Sequence, residues 1–127
     1  MTEWVIDASA VLADLKGETG GEIAHAAVAT SHMSAVNYAE VITKLIENGA
    51  DPYQASEIAS KLQCVIADAD KARASRAGLM HTRTRGKGVS LADRFCIALA
   101  EELGVPVLTA DRLWKTLDID VEVSLIR

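Results

Sequence analysis

Short apolar runs alternate along this chain with longer stretches of helical patterning. That order is the signature of an α/β domain built on a largely parallel sheet. Residues 3–7, around Trp4-Val5-Ile6, read as the first strand. Residues 64–67 read as another, and residues 105–109 as the clearest buried one. Helices are expected over residues 9–16, halted by Gly17, and over residues 22–29. Residues 32–33 make a brief strand, placed mainly because Ser34 resembles an N-cap for a helix over residues 35–48. Gly49 ends that helix, and Asp51-Pro52 opens the next with an N-cap and a proline at the first helical position. Asp70 caps a basic helix that runs to residue 80, and residues 81–88 form a polar, glycine-punctuated loop. Ser90 opens a helix over residues 91–103 that Gly104 stops. Residues 112–117 form a short helix and residues 121–126 an edge strand. With 127 residues and no repeat, low-complexity tract or linker, the chain is expected to be one domain, residues 1–127, with one real core.

The totals exclude several function classes. A net charge of −5 argues against wholesale electrostatic capture of nucleic acid, although the charge of one face matters more than the sum. Met1-Thr2-Glu3-Trp4 has no basic n-region, and no apolar run approaches the roughly 18 residues of a spanning helix. The expectation is a soluble, cytoplasmic protein without a membrane partner. Cys64 and Cys96 match no C-x-x-C spacing and read as small core residues.

Four acids stand where elements begin or end. Asp7 closes the first strand and Asp111 the run ending at Ala110; both also suit a helix N-cap. Asp93 is the third helical residue after Ser90, a variant of the capping box. Its helix carries Leu91, Ala92, Phe95, Cys96, Ile97, Ala98, Leu99 and Ala100, and a helix apolar all round is a buried one. A carboxylate at the mouth of such a helix needs a partner: backbone N–H groups, Arg94 or a metal. Glu40 fits least well. With Ile42 taken as the centre of a buried stripe that includes Tyr38, Leu45 and Ile46, Glu40 lies roughly 160° away, on the side of Asn37, Lys44 and Glu47. Its local pattern is that of a solvated glutamate. Ligands of open parallel sheets bind outside the carboxyl ends of the strands, so acids at strand ends can converge there. A carboxylate cluster is unstable without a cation, and a hard divalent metal is the usual one.

Val5-Ile6-Asp7-Ala8-Ser9, Asn37-Tyr38-Ala39-Glu40, Ser90-Leu91-Ala92-Asp93 and Leu108-Thr109-Ala110-Asp111 resemble, in that order, the acidic motifs of PIN-domain ribonucleases. The length resembles that of the VapC-type toxins of toxin–antitoxin pairs, and the resemblance spans essentially the whole chain. It implies a three-layer α/β/α domain with a central, mainly parallel sheet, and a metal-dependent endoribonuclease site. Asp7, Glu40, Asp93 and Asp111 would form its acidic quartet and hold the metal. Ser9 and Thr109 would be supporting hydroxyls. It further implies a cognate antitoxin that occludes the pocket, and a homodimer. Some members of the family carry a further acid shortly after the last motif, where this chain has Trp114, with Asp118 only later; one metal or two is left open.

Four carboxylates with no His or Cys in the motifs fit hard oxygen ligation, hence Mg²⁺ or Mn²⁺ rather than zinc. His25, His32 and His81 fall outside every motif. Asp7 and Asp93 are the preferred direct ligands. An RNA polyanion must still be held beside this acidic site. Residues 71–87 contain Lys71, Arg73, Arg76, Arg83, Arg85 and Lys87, six of thirteen basic residues, with no acid among them. The expected RNA-binding rim is Arg73, Arg76, Arg83, Arg85 and Lys87. Aromatic residues are too scarce for a base-stacking platform. Two other classes compete: a non-catalytic PIN-like binding module, and an aspartate-based phosphotransfer domain with Asp7 as nucleophile. The second lacks an aspartate at position 9, where Ser9 stands.

Overall fold

A computed structural model describes residues 2–127. Met1, the first residue of the segment read for a leader, lies outside the described residues. Five strands, β1 (Trp4–Ile6), β2 (Ser31–Ser34), β3 (Val65–Ala67), β4 (Val107–Thr109) and β5 (Val123–Leu125), form one sheet in the order β3-β2-β1-β4-β5. Every neighbouring pair is parallel, so the expected mainly parallel sheet is wholly so. The chain starts in the centre, builds outward to one edge, then returns to the far side of β1. The direction of winding therefore reverses between β1 and β4, the topological switch point.

Successive strand residues face opposite layers, and the two cores follow that alternation. On one face Ile6, Met33 and Leu108 pack with Val11, Leu12, Val41 and Leu45. Those partners come from α1 (Ala8–Lys16) and α3 (Ala35–Glu47), with α2 (Gly21–Ala27) and α4 (Pro52–Ser60) on the same side. On the other face Val5, Val107 and Val123 meet Ala77 and Met80 at the end of α5 (Lys71–Leu79), and Ile97 and Leu99 of α7 (Leu91–Leu103). The result is an α/β/α sandwich. Among the described residues no helix is long and apolar enough to cross a membrane.

Local chemistry sets most boundaries. Ser34 accepts from the Val36 amide, Asp70 from the Arg73 amide, and Asp51 with Gln54 closes a capping box ahead of Pro52. Gly17 and Gly104 end α1 and α7 in the left-handed conformation. Close packing of α2 on α1 depends on Gly21, where a Cβ would stand 2.5 Å from the Ala13 carbonyl oxygen.

Several elements differ from expectation. The second helix stops at Ala27, and a 3-10 turn, Val28–Thr30, leads into β2. β2 covers four residues rather than two, because β1 and β3 both pair with it. β4 begins only at Val107, after Pro106, which has no N–H for the ladder. β5 is confined to Val123–Leu125, the residues that pair with β4.

The expected loop over residues 81–88 begins instead with a short helix, α6 (His81–Thr84). Tertiary contacts hold it: Thr84 is buried, and both terminal nitrogens of Arg83 donate to the Glu101 carboxylate at 2.9 and 3.0 Å. Arg73 makes a similar fork onto Glu102, at 3.2 Å from Nε and from Nη2. Two arginines thus strap α5 and α6 to the last turn of α7.

The Arg83 fork holds the Glu101 carboxyl below its ordinary range, with burial opposing and the Asp120 amide assisting. A depressed carboxylate contributes stability above its unfolded value and loses it as pH falls through the folded one. Glu101→Gln is expected to cost about 1–2 kcal/mol at pH 7. The difference from wild type should vanish as pH drops below the unfolded value of 4.5. Urea midpoints across that range measure it, and a pH-independent difference would rule the linkage out.

Candidate active site

Asp7 lies at the switch point, directly after β1, with only 4% of its surface exposed. It occupies the N-cap position of α1, but its side chain accepts from none of that helix's backbone amides. Its carboxylate faces hydroxyls instead. Ser9 Oγ donates to Asp7 Oδ2 at 2.6 Å and Thr109 Oγ1 donates to the same oxygen at 2.9 Å. Each hydroxyl is itself fixed by a backbone donor: the Ala110 amide to Ser9 Oγ and the Asp111 amide to Thr109 Oγ1, both at 3.0 Å. With both protons given to Asp7, the 3.2 Å approach of Ser9 to Thr109 is a contact of two acceptors held by a common partner. Ser9 and Thr109, expected as supporting hydroxyls, are thus the two side chains that bond the Asp7 carboxylate.

Asp93 and Asp111 do two things at once. Asp93 Oδ2 accepts from the Ser90 amide at 3.0 Å while the Asp93 amide donates to Ser90 Oγ at 3.1 Å, so the capping box is complete. Asp111 Oδ1 accepts from the Leu113 amide at 3.0 Å and caps the 3-10 turn Arg112–Thr116. In each residue the second oxygen is left over. The cap reading and the site reading are therefore compatible. Arg94, weighed as a partner for Asp93, donates to the Ala77 carbonyl instead.

Glu40 corrects the periodicity argument. The buried positions of α3 are Asn37, Val41 and Leu45, whereas Ile46 is exposed. The true stripe is centred about 100° from Ile42, and Asn37 at its end is fully buried although polar. Glu40 thus flanks the buried face and is half-buried. The Asn37 amide nitrogen donates to the Glu40 carboxylate at 3.4 Å and to the Ala92 carbonyl of α7 at 3.2 Å.

Asp7, Glu40, Asp93 and Asp111 line one open cleft of about 160 Å³, together with Ala8, Ser9, Leu12 and Lys44. The helices α1, α3 and α7 all present their N-terminal ends there, since α1 and α3 leave strand ends and α7 returns to the start of β4. Burial is the main reason the Asp7 carboxyl is pushed up to about 6, with Ser9 and Thr109 opposing and Asp93 and Glu40 adding repulsion. Burial also raises Asp93, against its bonds to Ser90, and Asp111 raises it further. The cleft is an excess of negative charge with one cation at its rim. Lys44 was not singled out from sequence as a site residue, because its surface pairing with Glu47 at 3.2 Å is ordinary for a helix.

The donors are all hard oxygens, which suits Mg²⁺ or Mn²⁺. Among the described residues no three His, Cys, Asp or Glu side chains are arranged to grip a metal together. The fit is to an ion that takes one or two carboxylates directly and reaches the others through its own waters. Trp114, standing where a further acid was looked for, is 1% exposed and fills the second core.

The basic segment divides. Arg73 and Arg83 are spent on Glu102 and Glu101. Arg76 lines a small recess with Arg73 and Glu102. Arg85 and Lys87 are exposed, and they lie just ahead of the Ser90–Asp93 cap. Among the described residues the part of the expected rim that carries no ion pair is therefore Arg76, Arg85 and Lys87.

The sequence model of the PIN domain family matches residues 4–119. No curated protein matches the chain by sequence. Among solved structures, a DNA-bound VapBC from Salmonella typhimurium is similar over 100% of both chains, with TM-score 0.76 at 16% identity. VapC20 of Mycobacterium tuberculosis, a sarcin–ricin loop cleaving toxin, is similar over 96% of this chain and 100% of its own, with TM-score 0.72 at 15% identity. VapBC2 of Rickettsia felis, bound to a promoter DNA fragment, is similar over 98% of each chain, with TM-score 0.72 at 15% identity. At these identities the likeness is one of fold.

The raised Asp7 carboxyl gives a measurable signature. Between 3.8 and about 6 the folded state holds a proton that the unfolded chain has lost, so stability falls as pH rises through that window. Above it, ionised Asp7 costs roughly 3 kcal/mol at most. Without metal, Asp7→Asn should melt several degrees above wild type at pH 7.5, with the gap shrinking towards pH 4. Melting in EDTA at both pH values checks this; a gap of equal size at both would refute it.

Proposed function

Because the chain belongs to the PIN domain family, we propose that it is a divalent-metal-dependent endoribonuclease and the toxin of a toxin–antitoxin pair. One observation carries the reading. Four acids from sequence-distant segments line a single cleft at the carboxyl end of a parallel sheet, with two hydroxyls directed onto the most buried of them.

Mg²⁺ or Mn²⁺ would be held by Asp7 and Asp93, with Glu40 and Asp111 reached through waters or serving a second ion. Such an ion supplies a water of lowered pKa for in-line attack and neutralises charge on the phosphoryl oxygens. The chain supplies the rest. Ser9 and Thr109 occupy Oδ2 of Asp7, which leaves Oδ1 as the ligating oxygen and fixes its direction. The Ser90 cap does the same for Asp93. Lys44 at the cleft, and the exposed Arg85 and Lys87 just ahead of the Ser90–Asp93 cap in the chain, are the cations we assign to the phosphates of RNA. Asp7 as a phosphorylated nucleophile is the poorer reading, since Ser9 stands where that chemistry would have a second aspartate and Asp7 is almost sealed from solvent.

A protein partner is supported by the apolar surface over α1, α2 and α4. Leu15, Ile23, Ile58 and Tyr53 are exposed there, Tyr53 at 74%, and a groove between these helices is lined by Leu15, Val28, Ile58 and Leu62. Exposed apolar patches with polar rims mark interaction sites. An antitoxin is the partner we assign to it.

Purified protein is expected to cleave structured RNA in Mg²⁺ or Mn²⁺ and to stop in EDTA, as read by sequencing the new RNA ends. Asp7→Asn and Asp93→Asn should each reduce the rate by about 10²-fold or more while remaining folded. Cleavage in EDTA, or wild-type rates from either variant, would end the proposal. Binding can be separated from chemistry in the Asp7→Asn background. There the double reversal Arg85→Glu, Lys87→Glu should weaken RNA binding and reduce the salt slope by about one to two. An unchanged slope would remove these two residues from the interface.

A further inference from the structure

Asn37 carries more chemistry than its place in α3 requires. It is fully buried on the same stripe as Val41 and Leu45, where packing alone is served by an apolar side chain. Its two neighbours, the Glu40 carboxylate and the Ala92 carbonyl, are both acceptors. Only the amide nitrogen can face acceptors, so the orientation of the side chain is forced. The consequence is an amide oxygen, Oδ1, that is buried with no hydrogen-bond partner among the described residues. A buried acceptor left unpaired destabilises the fold. What it accompanies is a donor that touches one acid of the cleft and the backbone immediately before another, since Ala92 precedes Asp93.

We propose that Asn37 is a positioning residue for the metal site: its amide holds Glu40 against the first turn of α7, so that Glu40 and Asp93 face the cleft as a fixed pair. The inference rests on the nuclease reading above. It does not follow from the helix pattern, which puts residue 37 on the solvent side. It also explains how an acid partway along α3 is kept in register with one on a helix of the opposite layer. Repulsion among the four carboxylates would otherwise push the longest and most flexible of them outward.

The test is a double-mutant cycle on the full chain, using Asn37→Leu, Glu40→Gln and the two together. Leu keeps the buried volume and removes the donor; Asn37→Ala serves as a second variant should Leu not fold, with folding read from urea midpoints. Mn²⁺ affinity, measured calorimetrically without RNA, is the first readout, and Mg²⁺-dependent kcat and KM for RNA cleavage the second. In the wild-type background Asn37→Leu is expected to weaken Mn²⁺ binding and lower kcat by about tenfold each, with KM for RNA within about twofold. In the Glu40→Gln background the same change should alter neither by more than about twofold. Equal losses in both backgrounds, or unchanged Mn²⁺ affinity, would show a residue that only packs, and the proposal would fail while the nuclease reading stood. A wild-type protein that neither binds Mn²⁺ nor cleaves RNA would overturn the nuclease reading and this inference together.

Discussion

A carboxylate almost sealed from water at the end of the central strand cannot be left without donors, and the arrangement around Asp7 follows from that need. Burial raises its pKa, and two hydroxyls, from Ser9 on α1 and Thr109 at the end of β4, pull it back. Those hydroxyls take their own orientation from the amides of Ala110 and Asp111. The ends of β1 and β4 are thereby joined through side chains where the sheet changes direction, beyond the last backbone bonds of the ladder. A pocket at this point is what the topology of an open parallel sheet provides. Here the pocket has an acid for its floor.

The remaining acids are held by different means, and the differences decide what each can give to a ligand. Asp93 and Asp111 spend one oxygen each on a backbone cap, which fixes direction and leaves one oxygen over. Glu40 has no cap and reaches the cleft from a helix flank, steadied by Asn37. Burial is what mainly raises Asp7 and Asp93, and the repulsion of four carboxylates in one cleft adds to it. Lys44 alone does not balance them. A divalent ion with its waters would, and under the proposed activity it would also offset the charge of an incoming RNA phosphate.

The legible parts of this chain were those encoded by short-range chemistry. Ser34, Asp51, Asp70 and Ser90 announce helix starts, and the structure shows each of them capping. Asp7 and Asp111 were visible because strand ends are visible. Glu40 was not legible from periodicity. A stripe drawn through Ile42 and Ile46 assumes that apolar residues define the buried face, and in α3 a fully buried asparagine defines one end of it. The arginines of residues 71–87 were legible as charge but not as partners. Glu101 and Glu102 take Arg83 and Arg73 from other segments, and no local pattern announces such a fork.

By itself the sequence determined an α/β order with a largely parallel sheet, three candidate acids at the ends of elements, and the absence of soft metal ligands from the motifs; the three layers were implied by the family resemblance. The first of these follow from hydrophobic alternation and from capping chemistry, which act over a few residues. The resemblance of residues 37–40 to a family motif was all that pointed to Glu40 in the sequence. The tertiary structure brings it to the cleft of the other three, and it alone decided that Trp114 is core and that only part of the basic segment is free. It also decided how strongly Asp7 is perturbed. These depend on which surfaces meet across the sheet, and a charge or a buried amide is given its role by groups tens of residues away.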